Sequence, residues 1–279
     1  MTKIMKNQLL QQEVAEMLSN FLEQKQISQN KLAEMIGVSS ATISNIINEF
    51  WERVNETMLL KIKAYFKTKD WTLIKTSNFT TVQDACDTAR KRRTMIGIIG
   101  YAGAGKTTAL QNYYESNANT YMVTCMRGVR TKQLLSDILK ALGVNYLASD
   151  VEMIRTIIGE LNKKDGALLI IDEASKLSAN ALMYIQDILD GIEGGAGIII
   201  AGVEYLLENL KKGVDKKKMG MPEFYTRVAL WHHLTGPTRK EIETICVNNG
   251  LTDKQIIRDV TRLNDFRQVR NSILNFETA

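Results

Sequence analysis

The chain is predicted to be an α/β protein, with a parallel sheet covered by helices in the middle, an all-α domain ahead of it and a small helical lid behind. Three observations lead there. Between Asn78 and about Pro237, compact runs rich in Ile and Val alternate with helical stretches: MIGIIG, YMVTC, ALLIID, GIIIAG and VALWHHL. Runs without polar alternation are expected of strands buried on both faces, as in a parallel sheet. From Gln8 to about Phe66 apolar residues instead recur at spacings of three and four, as at Val14, Leu18, Phe21 and Leu22, which is helical. After Pro237 helical patterning returns: Thr238 and Glu241 form a capping-box pair ahead of a helix that Gly250 stops. The expected domains are 1–70, 78–236 and 237–279.

Composition narrows the function classes. The 279 residues are 44% hydrophobic and 24% charged, ordinary for a globular protein. No apolar run approaches the ~20 residues of a membrane span, and the N-terminus lacks the apolar core and cleavage site of a signal peptide. Cys86, Cys125 and Cys246 are far apart and fit no metal spacing, so they read as reduced thiols of a cytoplasmic protein. The net charge of +5 permits a nucleic-acid partner without demanding one.

The most specific signal is GIIGYAGAGKTTAL, Gly97 to Leu110. Gly100, Tyr101, Ala102, Gly103, Ala104, Gly105, Lys106 and Thr107 fill the P-loop (Walker A) pattern G-x-x-x-x-G-K-[ST], between a strand-like and a helix-like run. Gly100, Gly103, Ala104 and Gly105 let successive N–H groups turn inward around phosphate oxygens, and the N-terminus of the helix, with Thr108 in its first turn, adds positive partial charge. Lys106 is assigned to the β- and γ-phosphates, and the Thr107 hydroxyl to Mg²⁺. A second acidic element, of Walker B type, follows in ALLIIDEAS. Asp172 and Glu173 end an apolar strand, which in a doubly wound sheet puts them beside the phosphate loop. Asp172 is expected to hold the Mg²⁺ shell and Glu173 to polarise water for attack on the γ-phosphate.

These motifs and their order resemble the AAA+ superfamily over roughly residues 78–279. The resemblance implies a P-loop AAA+ core with ATP and Mg²⁺ as cofactors. It places Arg227, in EFYTRVALWHHL, where such proteins carry an arginine finger that reaches a neighbouring subunit's γ-phosphate. It places Arg267, in NDFRQVRNSIL, at the sensor-2 arginine of the lid, with Arg270 as the rival candidate. At sensor 1 the chain departs from the family: Gly202, Val203 and Glu204 stand where a polar Asn, Thr or Gln is usual.

The N-terminal stretch ISQNKLAEMIGVSSATISNIINE resembles a helix-turn-helix of the phage-repressor type. Leu32, Ala33 and Ile36 give one helix an apolar face, Gly37 permits the turn, and Ser39 or Ser40 caps a second helix. The outward Ser40, Ala41, Thr42, Ser44 and Asn45 are small and polar. Such a surface suits a major groove, with Thr42 or Asn45 reaching base edges. No arginine stands there to grip guanine, so low sequence specificity is expected. Lys25, Lys31, Arg53, Lys61 and Lys63 are candidates for phosphate contacts or for a solvated face. A bundle used for protein docking is the competing reading. The lysine-rich segment LKKGVDKKKMGMPEF either tracks a DNA backbone or is a solvated loop.

A helix-turn-helix first, an AAA+ core second and a lid last is similar to the transposition ATPases of the phage Mu B type. That resemblance implies an ATPase that self-associates into a ring or helical filament on duplex DNA, delivers target DNA to a transposase and lets go on hydrolysis. The alternatives from other classes are an ATP-responsive transcription regulator, which should bind one operator and resist moderate salt, and a helicase loader, which should need a helicase partner.

Overall fold

The computed structural model describes residues 3–25, 27–67, 71–128, 130–192 and 194–277. The chain divides into two compact units, Met1–Leu73 and Ile74–Ala279.

The first unit is all helical: α1 (Lys3–Lys25), α2 (Gln29–Ile36), α3 (Ser40–Ile47), a short 3-10 turn (Trp51–Arg53) and α4 (Glu56–Lys67). Its core gathers Val14 and Leu18 of α1, Leu32, Ala33 and Ile36 of α2, Ile43 and Ile46 of α3, and Leu59 and Ile62 of α4. Local chemistry sets the α2–α3 corner. The Ser28 hydroxyl caps α2 and the Ser39 hydroxyl caps α3, each accepting from an N–H three residues on. Between them Gly37 sits at φ +72, a left-handed conformation that glycine adopts without steric penalty.

The second unit opens with α5 (Ser77–Arg92) and continues through β1 (Met95–Ile99), α6 (Lys106–Ser116), β2 (Thr120–Thr124), α7 (Thr131–Ala141), α8 (Asp150–Asn162) and β3 (Ala167–Asp172). A 3-10 turn (Ala174–Lys176) leads to α9 (Ala179–Gly191), β4 (Ala196–Gly202), α10 (Glu204–Asp215), α11 (Met221–Arg227) and β5 (Val228–His233). The tail is α12 (Arg239–Asn248), α13 (Lys254–Val260) and α14 (Phe266–Glu277). All strand pairings are parallel, in the order β2-β3-β4-β1-β5.

Side-chain alternation splits the core into two layers. Met95, Ile99, Leu169, Ile171, Ile198 and Ile200 face α7 to α11. Ile96, Ile98, Leu168, Ile170, Ile199 and Ala201 face α5 and α6. Every residue of β1, β3 and β4 is buried, as their apolar runs predict. The edge strands β2 and β5 depart from that expectation and are only partly buried, because each has a neighbour on one side only. The three cysteines are free thiols and all buried, and no described helix is long and apolar enough to cross a membrane.

Gly97 of β1 pairs with Trp231 of β5, and a Cβ on Gly97 would overlap atoms of the indole ring. Gly97→Ala therefore overpacks the sheet. It is expected to destabilise the unit by about 1–3 kcal/mol, read as a thermal midpoint lowered by several degrees.

Candidate functional site

β1 delivers the phosphate-loop sequence at its C-terminal end, and β3 ends at the same edge of the sheet with only β4 between them. That spacing is roughly 10 Å, and α6 closes it: the Thr107 hydroxyl donates to Asp172 Oδ2 at 2.7 Å. The loop has the backbone that phosphate binding needs. Gly103 and Gly105 adopt φ +91 and +86, and Gly105 caps α6 without a side-chain hydrogen bond, leaving first-turn N–H groups of the helix to an anion. Gly100 packs against Leu234, Ala104 is buried, and Thr107 and Thr108 are exposed at the rim.

Lys106 is only 6% exposed. Its Nζ donates to the Gly100 carbonyl at 2.6 Å and to the Tyr101 carbonyl at 3.0 Å. Burial pulls its pKa below the ordinary lysine value, with Asp172 opposing the shift. Asp172 is fully buried and its carboxyl is pushed up by burial, against the Thr107 hydroxyl and the Glu173 amide, which donates to Oδ1 at 2.8 Å. The hydroxyl and carboxylate in contact are hard oxygen donors of the kind that would hold Mg²⁺.

Glu173 adopts φ +57, and its Oε2 lies 3.2 Å from Lys176 Nζ. The turn that carries both is fastened to the end of β4, since the Val203 amide donates to Ser175 Oγ at 2.8 Å. A Cβ on Gly202 would collide with that hydroxyl. The position that lacks a polar side chain on β4 is thus filled from β3's side by Ser175, and Glu204 begins α10 nearby, its charge felt at Lys106.

The tail helices meet the phosphate loop. The Phe266 amide donates to the Gly103 carbonyl at 3.2 Å, and the Asp265 carboxylate lies against Gly103 while accepting from the Arg267 and Gln268 amides. Arg267 is exposed, and its positive charge adds to the lowering of the Lys106 pKa. Arg270, one turn on, is half-buried. Asn78 ties the parts together: its buried amide donates to the carbonyls of Ala104 and Thr235 at 3.1 and 2.7 Å, and Ser77 donates to Glu241 of α12. Tyr101, whose hydroxyl is buried, has its pKa pushed up to about 12 by burial and then by Asp265 and Glu241.

Arg227 stands elsewhere. It precedes Val228, the partner of Met95, the first residue of β1, whereas the phosphate loop follows the last. The five residues of β1 separate them, roughly 17 Å, beyond the reach of an arginine into its own phosphate loop. Its guanidinium instead grips Asp190 of α9 side-on, with Nε to Oδ1 at 2.8 Å and Nη2 to Oδ2 at 3.1 Å.

In the N-terminal unit, Ser40 and Ala41 are exposed, while Thr42, Ser44 and Asn45 are half-buried on the outer side of α3. The Thr42 hydroxyl bonds Ser39 Oγ, and Ser44 Oγ accepts from Asn48. Several candidates for phosphate contact have partners: Lys31 with Glu34, Lys63 with Glu13, Arg53 with Glu52, and Lys61 with the Gly37 carbonyl of the turn. The Lys25 side chain lies outside the described part. The sequence motifs do not mark Asn78, Ser175, Lys176, Asp190 or Asp265. Of these, Asp265 alone carries a local signal, as an acid directly before a helical run.

Residues 89–210 match the AAA domain family and residues 17–75 the Cro/C1-type HTH DNA-binding domain family. The chain is 25% identical over 255 residues to the Mu-like prophage FluMu DNA transposition protein B of Haemophilus influenzae, covering 86% of this chain and 87% of that protein. It is 21% identical over 257 residues to the ATP-dependent target DNA activator B of Escherichia phage Mu, covering 88% of this chain and 81% of that one. Among solved structures it is similar to the Aeropyrum pernix ORC2 protein in ADPNP and ADP complexes, with TM-score 0.55, 14% identity and 74% of this chain covered. The replication initiator DnaA bound to AMPPCP and single-stranded DNA gives TM-score 0.51, 16% identity and 75% coverage. The chain spans 62% and 63% of those two structures, less than two thirds of each, and the likeness is one of fold. The architecture is an AAA+ α/β core with an N-terminal helix-turn-helix domain.

Proposed function

We propose that this chain, a homologue of B-type DNA transposition proteins, is an Mg²⁺-dependent ATPase that assembles on duplex DNA when ATP is bound, offers that DNA to a transposase and releases it on hydrolysis. The observation that carries the reading is the hydrogen bond between Thr107 and Asp172. It joins the phosphate loop to the acidic pair across one strand. The bound Mg²⁺ would neutralise charge developing on the transferred phosphoryl group.

The chain's own residues have these parts. The amides of Gly103, Ala104, Gly105 and the first turn of α6, with Thr108 at the rim, cradle phosphate. Lys106 exchanges its two loop carbonyls for β- and γ-phosphate oxygens. Thr107 and Asp172 hold the metal, and Glu173 takes the proton from water once it leaves Lys176. Arg267 approaches from the tail helix of the same subunit. Arg227, kept from its own loop by the length of β1, acts on the phosphate of a second copy, so the catalytic constellation is complete only between protomers. Gly100 lets the loop fold against Leu234. In the N-terminal domain, 1–70, the α3 surface of Ser40, Thr42, Ser44 and Asn45 approaches the groove, with the core at 78–236 and the lid at 237–279.

Imaging of the purified chain with random-sequence duplex, with and without a non-hydrolysable ATP analogue, tests this reading. Analogue-dependent coating of the duplex is expected, with turnover that rises on assembly. Arg227→Ala should keep nucleotide binding and lose about 10³-fold of assembled turnover. Binding to one sequence only, indifferent to the analogue, would instead mean a transcription regulator.

A further inference from the structure

The lysine-rich segment between α10 and α11 is not a loose loop. α10 buries Leu206, Leu207, Leu210 and Gly213 and leaves Lys211 and Lys212 outside. Its end is then closed by a hydrogen-bonded turn: the amides of Lys216, Lys217 and Lys218 donate to the carbonyls of Lys212, Val214 and Gly213 at 3.1, 2.9 and 2.9 Å. The Met221 amide then donates to Lys218 at 3.0 Å. From below, Met221 fills the space over Gly213, and the Met183 side chain lies against Gly220 at φ +78. Lys217 is held at φ +49, a left-handed conformation that is strained for a residue with a side chain.

The turn thus presents Lys216, Lys217 and Lys218 side by side, all exposed, beside Lys211 and Lys212. Asp215 is the single acid among residues 211–218, and no ion pair among the described residues engages any of the five lysines. Favourable interaction with the C-terminal end of α10 accounts for Lys212. It does not account for three more cations on a strained, pinned turn, where like charges repel. An anionic polymer relieves that repulsion: duplex DNA carries one charge per ~1.7 Å of axis, so two or three phosphates fall within a turn of this width.

We infer that this turn is a contact for the phosphate backbone of duplex DNA, built into the ATPase unit and separate from the helix-turn-helix. The inference rests on the proposed function. It also gives that function a mechanical link, because α11 starts three residues after Lys218 and ends at Arg227.

Fluorescence anisotropy of a labelled random duplex, titrated with the full chain and a non-hydrolysable ATP analogue over a range of salt, tests it. The combined variant Lys216→Gln, Lys217→Gln, Lys218→Gln should lower the slope of log K against log salt by about 2–3, at ~0.9 per phosphate contact, and weaken binding at least tenfold at low salt. DNA-free ATP turnover should be unchanged, which checks the fold. Lys217→Gly removes one charge and suits the left-handed turn, so its slope should fall by about 1 with the protein no less stable. An unchanged slope in both variants overturns the inference and leaves the proposed function standing. So does intact duplex binding with lost stimulation by transposase, which would assign the lysines to an acidic protein surface. Failure of the unaltered chain to bind duplex with the analogue overturns both.

Discussion

Lys106→Ala is expected to abolish ATP-dependent assembly on duplex DNA and to lower ATP turnover by at least about 100-fold, the scale of removing one preorganised electrostatic contact. The effect should be large because Lys106 is buried under its own loop with Asp172, Glu204 and Glu173 pulling on its charge. Alanine leaves that pocket acidic where polyphosphate must enter. The same substitution deletes the two hydrogen bonds from Nζ to the Gly100 and Tyr101 carbonyls, so part of its effect is structural, about 1–3 kcal/mol. Calorimetric titration with ATP and Mg²⁺, run beside a thermal melt, separates the two. A variant whose midpoint falls by several degrees, that is still folded at the titration temperature and that yields no binding heat is the expected result. Normal binding heat would remove Lys106 from the site.

Glu173→Gln should do the opposite to assembly. The amide keeps the shape of the carboxylate but cannot accept a proton, so turnover should fall by about 10²–10⁴ while nucleotide still binds. Assemblies then persist after free ATP is diluted away, visible by electron microscopy over a time course. The partner of Glu173 sharpens the expectation. Lys176 holds the carboxylate at 3.2 Å and both side chains are about one-third exposed, so losing the pair alters stability little. A loss of turnover in this variant is therefore catalytic. Phosphate release at the unaltered rate would mean that another group activates water.

The phosphate loop was legible because its chemistry is consecutive: glycines, Lys106 and Thr107 stand in one run, and a backbone cradle needs no distant partner. The strands β1, β3 and β4 were legible as uninterrupted apolar runs, since burial on both faces leaves no place for a polar residue. The partial exposure of β2 and β5 was not, because an edge is defined by which strand lies alongside and not by the strand's own residues. Arginine 227 shows the same limit. Its type and place after EFYT were visible, but its pairing with Asp190, 37 positions away, and its separation from its own phosphate loop follow only from the register of β5 on β1. Between Arg267 and Arg270 the sequence offered no choice, being one turn of one helix. Docking of the Phe266 amide on Gly103 brings the start of α14, and with it the backbone of Arg267, to the phosphate loop.

Order along the chain settled the kinds of element and marked the residues that are candidates for chemistry, because helical or extended periodicity, a capping serine and a glycine-bounded loop act through neighbours within a few residues. Folding settled the meetings. Thr107 and Asp172 lie 65 residues apart and Asn78 and Thr235 lie 157 apart. Such pairs come together only because the strands take the order β2-β3-β4-β1-β5 with helices packed on both faces of the sheet. Burial is non-directional and read residue by residue in a sequence, whereas a site needs distances, and distances are a property of the packed whole.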